Sequence, residues 1–176
     1  VRIDEIALGP DSSALAADLY SLAEMEHGLG DLNAARRDHE RALAIRRKSL
    51  PAGPPAVGLS LSGLGGIEFD AQRVREATQY FEAALDIQEK ALGPDHPYVG
   101  ETLFGLAQCL VANGDLAGAS SRFERAVAID DKSYGPLSTE TKQRIDSYLK
   151  VLRRYGHAVE AERWQTARSR VVHASR

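Results

Sequence analysis

The chain repeats itself every 42 residues. Leu19, Leu61, Leu103 and Ile145 are each 42 apart, as are Leu22, Leu64, Leu106 and Tyr148, and Ala35, Ala77, Ala119 and Ala161. The column Ile45, Ile87, Ile129, Val171 agrees, and so do the chain breakers: Gly9-Pro10, Pro51, Gly93-Pro94 and Gly135-Pro136 recur at nearly one phase. A fixed period of a few tens of residues marks units too small to bury their own apolar faces, which must stack on their neighbours to do so. The joints near residues 8, 50, 92 and 134 therefore divide the chain into repeats 8–49, 50–91, 92–133 and 134–176.

Within each repeat the apolar residues fall three and four apart, as in Leu103, Leu106, Ala107 and Leu110, the spacing of an amphipathic helix. A break at Gly30-Asp31 or Gly114-Asp115 is followed by the same spacing in Ala35, His39, Ala42; Ala77, Phe81, Ala84; and Ala119, Phe123, Ala126. Two helices per repeat follow, with helical pairs expected near 12–49, 54–91, 95–133 and 137–174. Asp95 or His96 before Pro97 reads as a cap, because proline in a first helical turn loses no hydrogen bond.

Composition narrows the function classes. The 22 basic and 25 acidic residues leave a formal charge of −3, which gives no basic surface for tracking phosphates and argues against nucleic acid. Cys109 is the single cysteine, and no apolar run reaches the roughly 18 residues of a membrane span. No membrane partner is expected, and a reducing, cytoplasmic setting fits.

The run Leu61-x2-Leu64-Gly65 followed by Ala77-x3-Phe81-x2-Ala84 resembles the tetratricopeptide repeat. LGPDHPYVGETLFGLAQCL and ALDIQEKALGPDHP are similar to the 42-residue form found in kinesin light chains and many bacterial signalling proteins. The resemblance spans essentially the whole chain. It implies an all-α, right-handed α-solenoid of antiparallel helix pairs, and it makes residues 1–7 the end of a helix from a preceding repeat, since Val1, Ile3 and Leu8 stand 42 before Leu43, Ile45 and Leu50. The fourth repeat is terminal and degenerate: Arg168 and Ser169 take the places of small and apolar residues, and Gln165 that of the aromatic.

The stretch GLSLSGLGGIEF, residues 58 to 69, has the glycine density of a phosphate loop. A Walker loop fails because Leu64 and Gly65 follow Gly63 where Lys and Ser/Thr belong, and a dinucleotide fingerprint fails because Glu68 stands at its last glycine. Gly65 shares a column with Ala23 and Ala107 and reads as a packing glycine between close helices. Cys109, in the column of Met25, Ile67 and Val151, reads as core. The five histidines show no metal spacing, and no cofactor is expected. His39 occupies the aromatic slot of Phe81 and Phe123, filling it with a nitrogen that reaches water. Its sharper reading is a pH-sensitive joint. The pairs Glu24/Glu26 and Glu68/Asp70 lack a second catalytic element and read as solvated helix surface.

In the family the first helix of each pair lines the concave side. Carried over, a partner-binding groove consists of Tyr20, Glu24 and His27; Ser62, Gly66 and Phe69; Phe104, Gln108 and Val111; and Asp146, Lys150 and Arg153, with Arg154 beside them. Ser21, Gly63, Gly105 and Ser147 replace the asparagines that kinesin light chains carry along this face, and Tyr20, Ser62 and Phe104 exclude a clamp for C-terminal carboxylates. The leading expectation is a non-catalytic scaffold that binds a protein or peptide in the groove. The alternatives are a regulatory or sensor segment of a larger signalling ATPase or kinase, and a self-assembly module forming a homo-oligomer through the N-terminal end.

Overall fold

The computed structural model describes residues 12–49, 55–136 and 138–174. Val1, Ile3 and Ile6, the joints at Gly9-Pro10 and Pro51, and the side chains of Arg168, Ser169 and Val171 lie outside these described residues.

Among the described residues the chain forms eight helices: α1 Ser13–Gly28, α2 Leu32–Ser49, α3 Pro55–Asp70, α4 Val74–Leu92, α5 Pro97–Ala112, α6 Leu116–Tyr134, α7 Thr139–Arg154 and α8 Ala158–Ala174. Short connections join α1 to α2, α3 to α4, α5 to α6 and α7 to α8, each folding two helices back on one another as a helical hairpin. Side chains supply the caps: Ser12 Oγ accepts from the Leu15 amide at 3.1 Å, Asp115 Oδ1 from Gly118 at 2.9 Å, and Ser138 Oγ from Thr141 at 3.1 Å. His96 caps α5, its Nδ1 accepting from the Tyr98 amide at 3.2 Å with Pro97 directly after it. Gly30, Gly114 and Gly156 end first helices at φ of 83°, 82° and 85°. Gln72 stands at the same phase of the period and takes φ 61° with a side chain, a conformation that only glycine adopts without strain.

The helices gather into two compact units that divide between Pro94 and Asp95. In the first unit α2 packs against α1 on one side and α3 on the other, and α3 pairs with α4. Leu15, Ala16, Leu19, Ala42 and Ile45 form one buried cluster, and Leu43, Val57, Leu61, Leu64 and Ala84 another. In the second unit α5 pairs with α6, and α7 packs on α5, α6 and α8. Phe123 is its aromatic centre, stacked on Tyr148 at 3.8 Å and met edge-on by Trp164 at 4.8 Å. Burial holds the Tyr148 phenol well above its ordinary range. The aromatic of the fourth repeat is thus Trp164, one residue before Gln165. Gln165 itself is exposed, while the Trp164 indole N–H donates to Ser120 Oγ at 3.2 Å. The bulky Tyr148, where earlier repeats have leucine, already covers one face of Phe123, so an indole from the adjacent position completes the cluster.

The glycines of α3 answer to side chains seated close against the helix. A Cβ on Gly63 would lie 2.4 Å from His39 Cε1, one on Gly65 2.9 Å from the Phe81 ring, one on Gly58 2.7 Å from Gln88 Cγ, and one on Gly66 3.3 Å from His27 Cε1. Glycine inside a helix is worse than alanine by roughly 0.8–1 kcal/mol, and here that penalty is offset by the close seating of side chains from α1, α2 and α4. Cys109 is buried, in keeping with its place in the core column. Met25, in the same column, is 61% exposed, because no described helix covers that side of α1.

Candidate functional site

First-helix side chains of the first unit make two polar contacts, one between α1 and α3 and one from α1 to α2. His27, near the end of α1, meets Asp70, at the end of α3, with Nε2 2.7 Å from Oδ2. This hydrogen bond to Asp70 raises the His27 pKa, with burial opposing it. Glu24, one turn earlier on α1, places Oε1 3.2 Å from His39 Nε2. The contact lies off the line of a well-formed hydrogen bond, since both His39 ring nitrogens lack a hydrogen-bond partner among the described residues. Its polarity still holds the Glu24 carboxyl below the ordinary range, against the effect of burial. His39 is 0% exposed, so the expected nitrogen reaching water is absent: Tyr20, edge-on at 5.3 Å, and the space above Gly63 enclose the ring. Tyr20 in turn lies beneath the Arg46 guanidinium, 4.9 Å from its centroid. Ser62 and Gly66 on α3 are half-buried.

Phe69 and Val111 do not line a groove. They are 4% and 1% exposed and belong to the core. Seven residues fall about 20° short of two full helical turns, and apolar side chains at this third position follow the drift inward. His27 and Arg153, their polar column mates, stay at the surface.

In the second unit Phe104 is half-buried on α5, its ring centroid 6.1 Å from that of Phe123. The Arg144 guanidinium of α7 stands 5.4 Å from the Phe104 centroid and is held from behind by Asp130 of α6. Arg144 Nη2 donates to Asp130 Oδ1 at 3.1 Å, and Nε to Oδ2. Phe104 and Arg144 floor an open cleft of about 280 Å³ whose other walls are Glu101, Glu140, Gln143 and Ser147. Gln108 is half-buried further along α5. Asp146, Lys150, Arg153 and Arg154 are exposed on α7, but the basic residues diverge: Arg153 donates to Gln165 Oε1 at 3.0 Å, and Arg154 lies over Tyr155 at 5.7 Å. Sequence reasoning missed Arg144, Glu140 and Gln143. Their spacing of three and four along one helix was the available signal, but α7's face toward α5 had to be known to use it.

Glu68 also corrects an expectation. It is 1% exposed and clamped by Arg36 of α2 and Arg73 at the start of the next helix, so it is a paired internal charge and not solvated surface. Among the described residues no three His, Cys, Asp or Glu side chains gather to hold a metal ion, and no helix is long and apolar enough to cross a membrane.

Comparison with known families gives two matches described as tetratricopeptide repeat, over residues 16–56 and 57–132. Curated protein sequences give no match. Among solved structures, the chain is similar to the nearly identical TPR-like repeats of a Podosopora anserina protein described as a kinesin light chain, at 23% identity and a TM-score of 0.74, covering 93% of this chain and 77% of that one. A single-substitution variant of that protein aligns at 24% identity, covering 90% and 74%, with a TM-score of 0.72. BtubC (BKLC) from P. vanneervenii aligns at 20% identity and a TM-score of 0.71, covering 92% of this chain and 64% of that chain. At these identities the likeness is one of fold: an all-α solenoid of helix pairs.

Proposed function

Since the chain belongs to the tetratricopeptide repeat family, whose helix pairs form interaction scaffolds, we propose that it holds a peptide or partner segment along its first-helix faces and performs no chemistry itself. The observation that carries this reading is the cleft over Phe104, where a half-buried ring and an anchored guanidinium form the floor and carboxylates stand at the rim. Apolar anchors in such pockets supply most of the affinity, while exposed charges set orientation and encounter rate. Within the second unit Phe104 offers ring surface, and the exposed Lys150, Arg153 and Arg154 of α7 favour an acidic continuation of the ligand; in the first unit Tyr20 offers ring surface of its own.

The test is selection of binding peptides from a displayed library, followed by titration against variants. Phe104→Ala should weaken the selected peptides by more than about 1 kcal/mol and Lys150→Ala by less. A double Arg153→Glu, Arg154→Glu change should slow association at low ionic strength and matter little at high. Affinity indifferent to Phe104→Ala, in a protein whose helical content is unchanged, would remove the cleft from the site.

A further inference from the structure

A second open cleft of the second unit, of about 270 Å³, lies between α6 and α8. Ser120 and Glu124 of α6 form one wall, and Glu160, Arg163, Trp164 and Ala167 of α8 the other. Beneath it stands Tyr148 of α7, stacked on Phe123 with its ring 6.0 Å from the Trp164 indole. Tyr148 is 0% exposed, yet its hydroxyl has no hydrogen-bond partner among the described residues. Burial first, and then the charges of Glu160 and Glu124, hold the proton on this phenol. Both carboxylates line the cleft, so the hydroxyl is turned toward its base.

A buried polar group without a partner is costly, and repeat stacking does not call for one here. The column of Tyr148 holds Leu22, Leu64 and Leu106, and Glu160 and Trp164 have Gly118 and Arg122 one repeat earlier. The phenol, the second carboxylate and the indole thus come together in the fourth repeat alone among neighbouring positions of the period.

We propose that this cleft binds the lysine side chain of a partner protein, with the ammonium between Glu124, Glu160 and the Tyr148 oxygen and the alkyl stem along Trp164. Acceptors from three different helices suit an ammonium, a compact charge with three rotatable donors, better than the planar fork of a guanidinium. Glu160 already pairs with Arg163 through Oε2 at 2.9 Å, but the Arg163 side chain is 75% exposed, and pairs of that kind contribute little and yield readily. Lining side chains commonly change rotamer when an interface forms, and the exposed Glu124 and Arg163 leave the cleft room to open onto the phenol. The volume falls below the roughly 300–1,000 Å³ of sites for drug-sized ligands. One long side chain fits it, with the backbone that carries it lying outside the mouth. This cleft is distinct from the one over Phe104, and its test is independent of that reading.

Trp164 is the single tryptophan, so its fluorescence reports occupancy. The probe is Nα-acetyl-lysine N-methylamide, titrated against the whole chain at low ionic strength beside the norleucine analogue, which keeps the stem and lacks the ammonium. A saturable change is expected with the lysine probe, and binding about tenfold or more weaker with norleucine. Glu124→Gln and Tyr148→Phe should each weaken the lysine probe by about fivefold or more. Glu124 is exposed, so its variant should keep the fold, which circular dichroism checks. Tyr148→Phe retains the ring in the Phe123 stack and deletes only the unpartnered hydroxyl, so the denaturation midpoint should hold or rise while binding falls. A purely structural hydroxyl would give the reverse, lower stability with binding unchanged. The proposal is overturned by that reversal, by absence of a saturable response, by equal binding of the norleucine analogue, or by binding indifferent to both substitutions. Tighter binding of 1,5-diaminopentane, by about tenfold or more, would likewise overturn it in favour of a free diamine.

Discussion

Gly63 shows how a single residue is set by a partner far away in the chain. Replacing a helix-interior glycine by alanine ordinarily stabilises by about 1 kcal/mol, but at Gly63 the new methyl would lie 2.4 Å from a fully buried imidazole. Gly63→Ala should therefore destabilise, by roughly 1–3 kcal/mol, the usual range for overpacking a core. With His39→Ala already in place the clash is gone, and the same Gly63→Ala change should become neutral or stabilising. Urea midpoints of the two single variants and the double variant measure this coupling, and additive effects would mean that the ring does not dictate the glycine.

At the scale of elements, successive helix pairs within each unit are joined by buried polar contacts at two fixed columns, and the chemistry differs between joints. Arg46 of α2 reaches Ser60 of α3 and the Ala56 carbonyl, whereas Asp130 of α6 receives Arg144 of α7. The cation comes from the second helix in one case and from the first helix in the other, so the helix pairs are not interchangeable. Asp130 is 0% exposed and the Arg144 side chain 13%. Removing one member of a buried pair leaves a charge without compensation, which costs about 3–5 kcal/mol. Asp130→Ala should lower stability by that order, and Asp130→Arg combined with Arg144→Asp should recover part of the loss. Chemical denaturation of the three variants is the measurement; a swap no better than the worse of its single changes would show that the site depends on packing more than on the charge pair.

For the whole molecule, the two units should answer pH differently. The His27–Asp70 contact lies in the first unit, and the pKa of His27 is raised by it. A raised folded-state pKa gives stability that is complete below the ordinary histidine value of about 6.5 and is lost as pH climbs through the raised value. Glu24, also in the first unit, has a lowered pKa, so its contribution is present above the ordinary carboxylate value and disappears in acid. Stability of the first unit should thus fall on going from mildly acidic to alkaline pH, by no more than about 1 kcal/mol because the Asp70 end is half exposed. The described ion pairs of the second unit are made by Lys132, Arg144 and Arg163 and involve no histidine. Trp164, the single tryptophan, reports on the second unit alone. Between pH 6 and 8.5 the denaturation midpoint read by circular dichroism should move while that read by Trp164 fluorescence holds, and Asp70→Asn should abolish the movement.

The helices, their pairing in sequence, the cap at His96 and the packing role of Gly65 could all be read from the 42-residue period, because periodicity and breakers are local properties of the chain. The direction in which individual side chains turn could not. Phe69 and Val111 share a column with Arg153, yet two are buried and one is exposed, a difference set by neighbouring helices. Glu68 reads as one more surface carboxylate until α2 brings Arg36 to it from 32 residues away, and Trp164 stands in for Gln165 only because Tyr148 has already taken one side of Phe123. The part of the candidate site that was legible is the set of polar first-helix positions. The part that was not, the Arg144 floor of the Phe104 cleft, depends on where Asp130 of another helix anchors the guanidinium. A repeat specifies the backbone because every unit asks for the same hydrogen bonds and the same apolar stripe. Charge pairing and ring packing join residues distant in sequence, and only the tertiary structure brings those residues together.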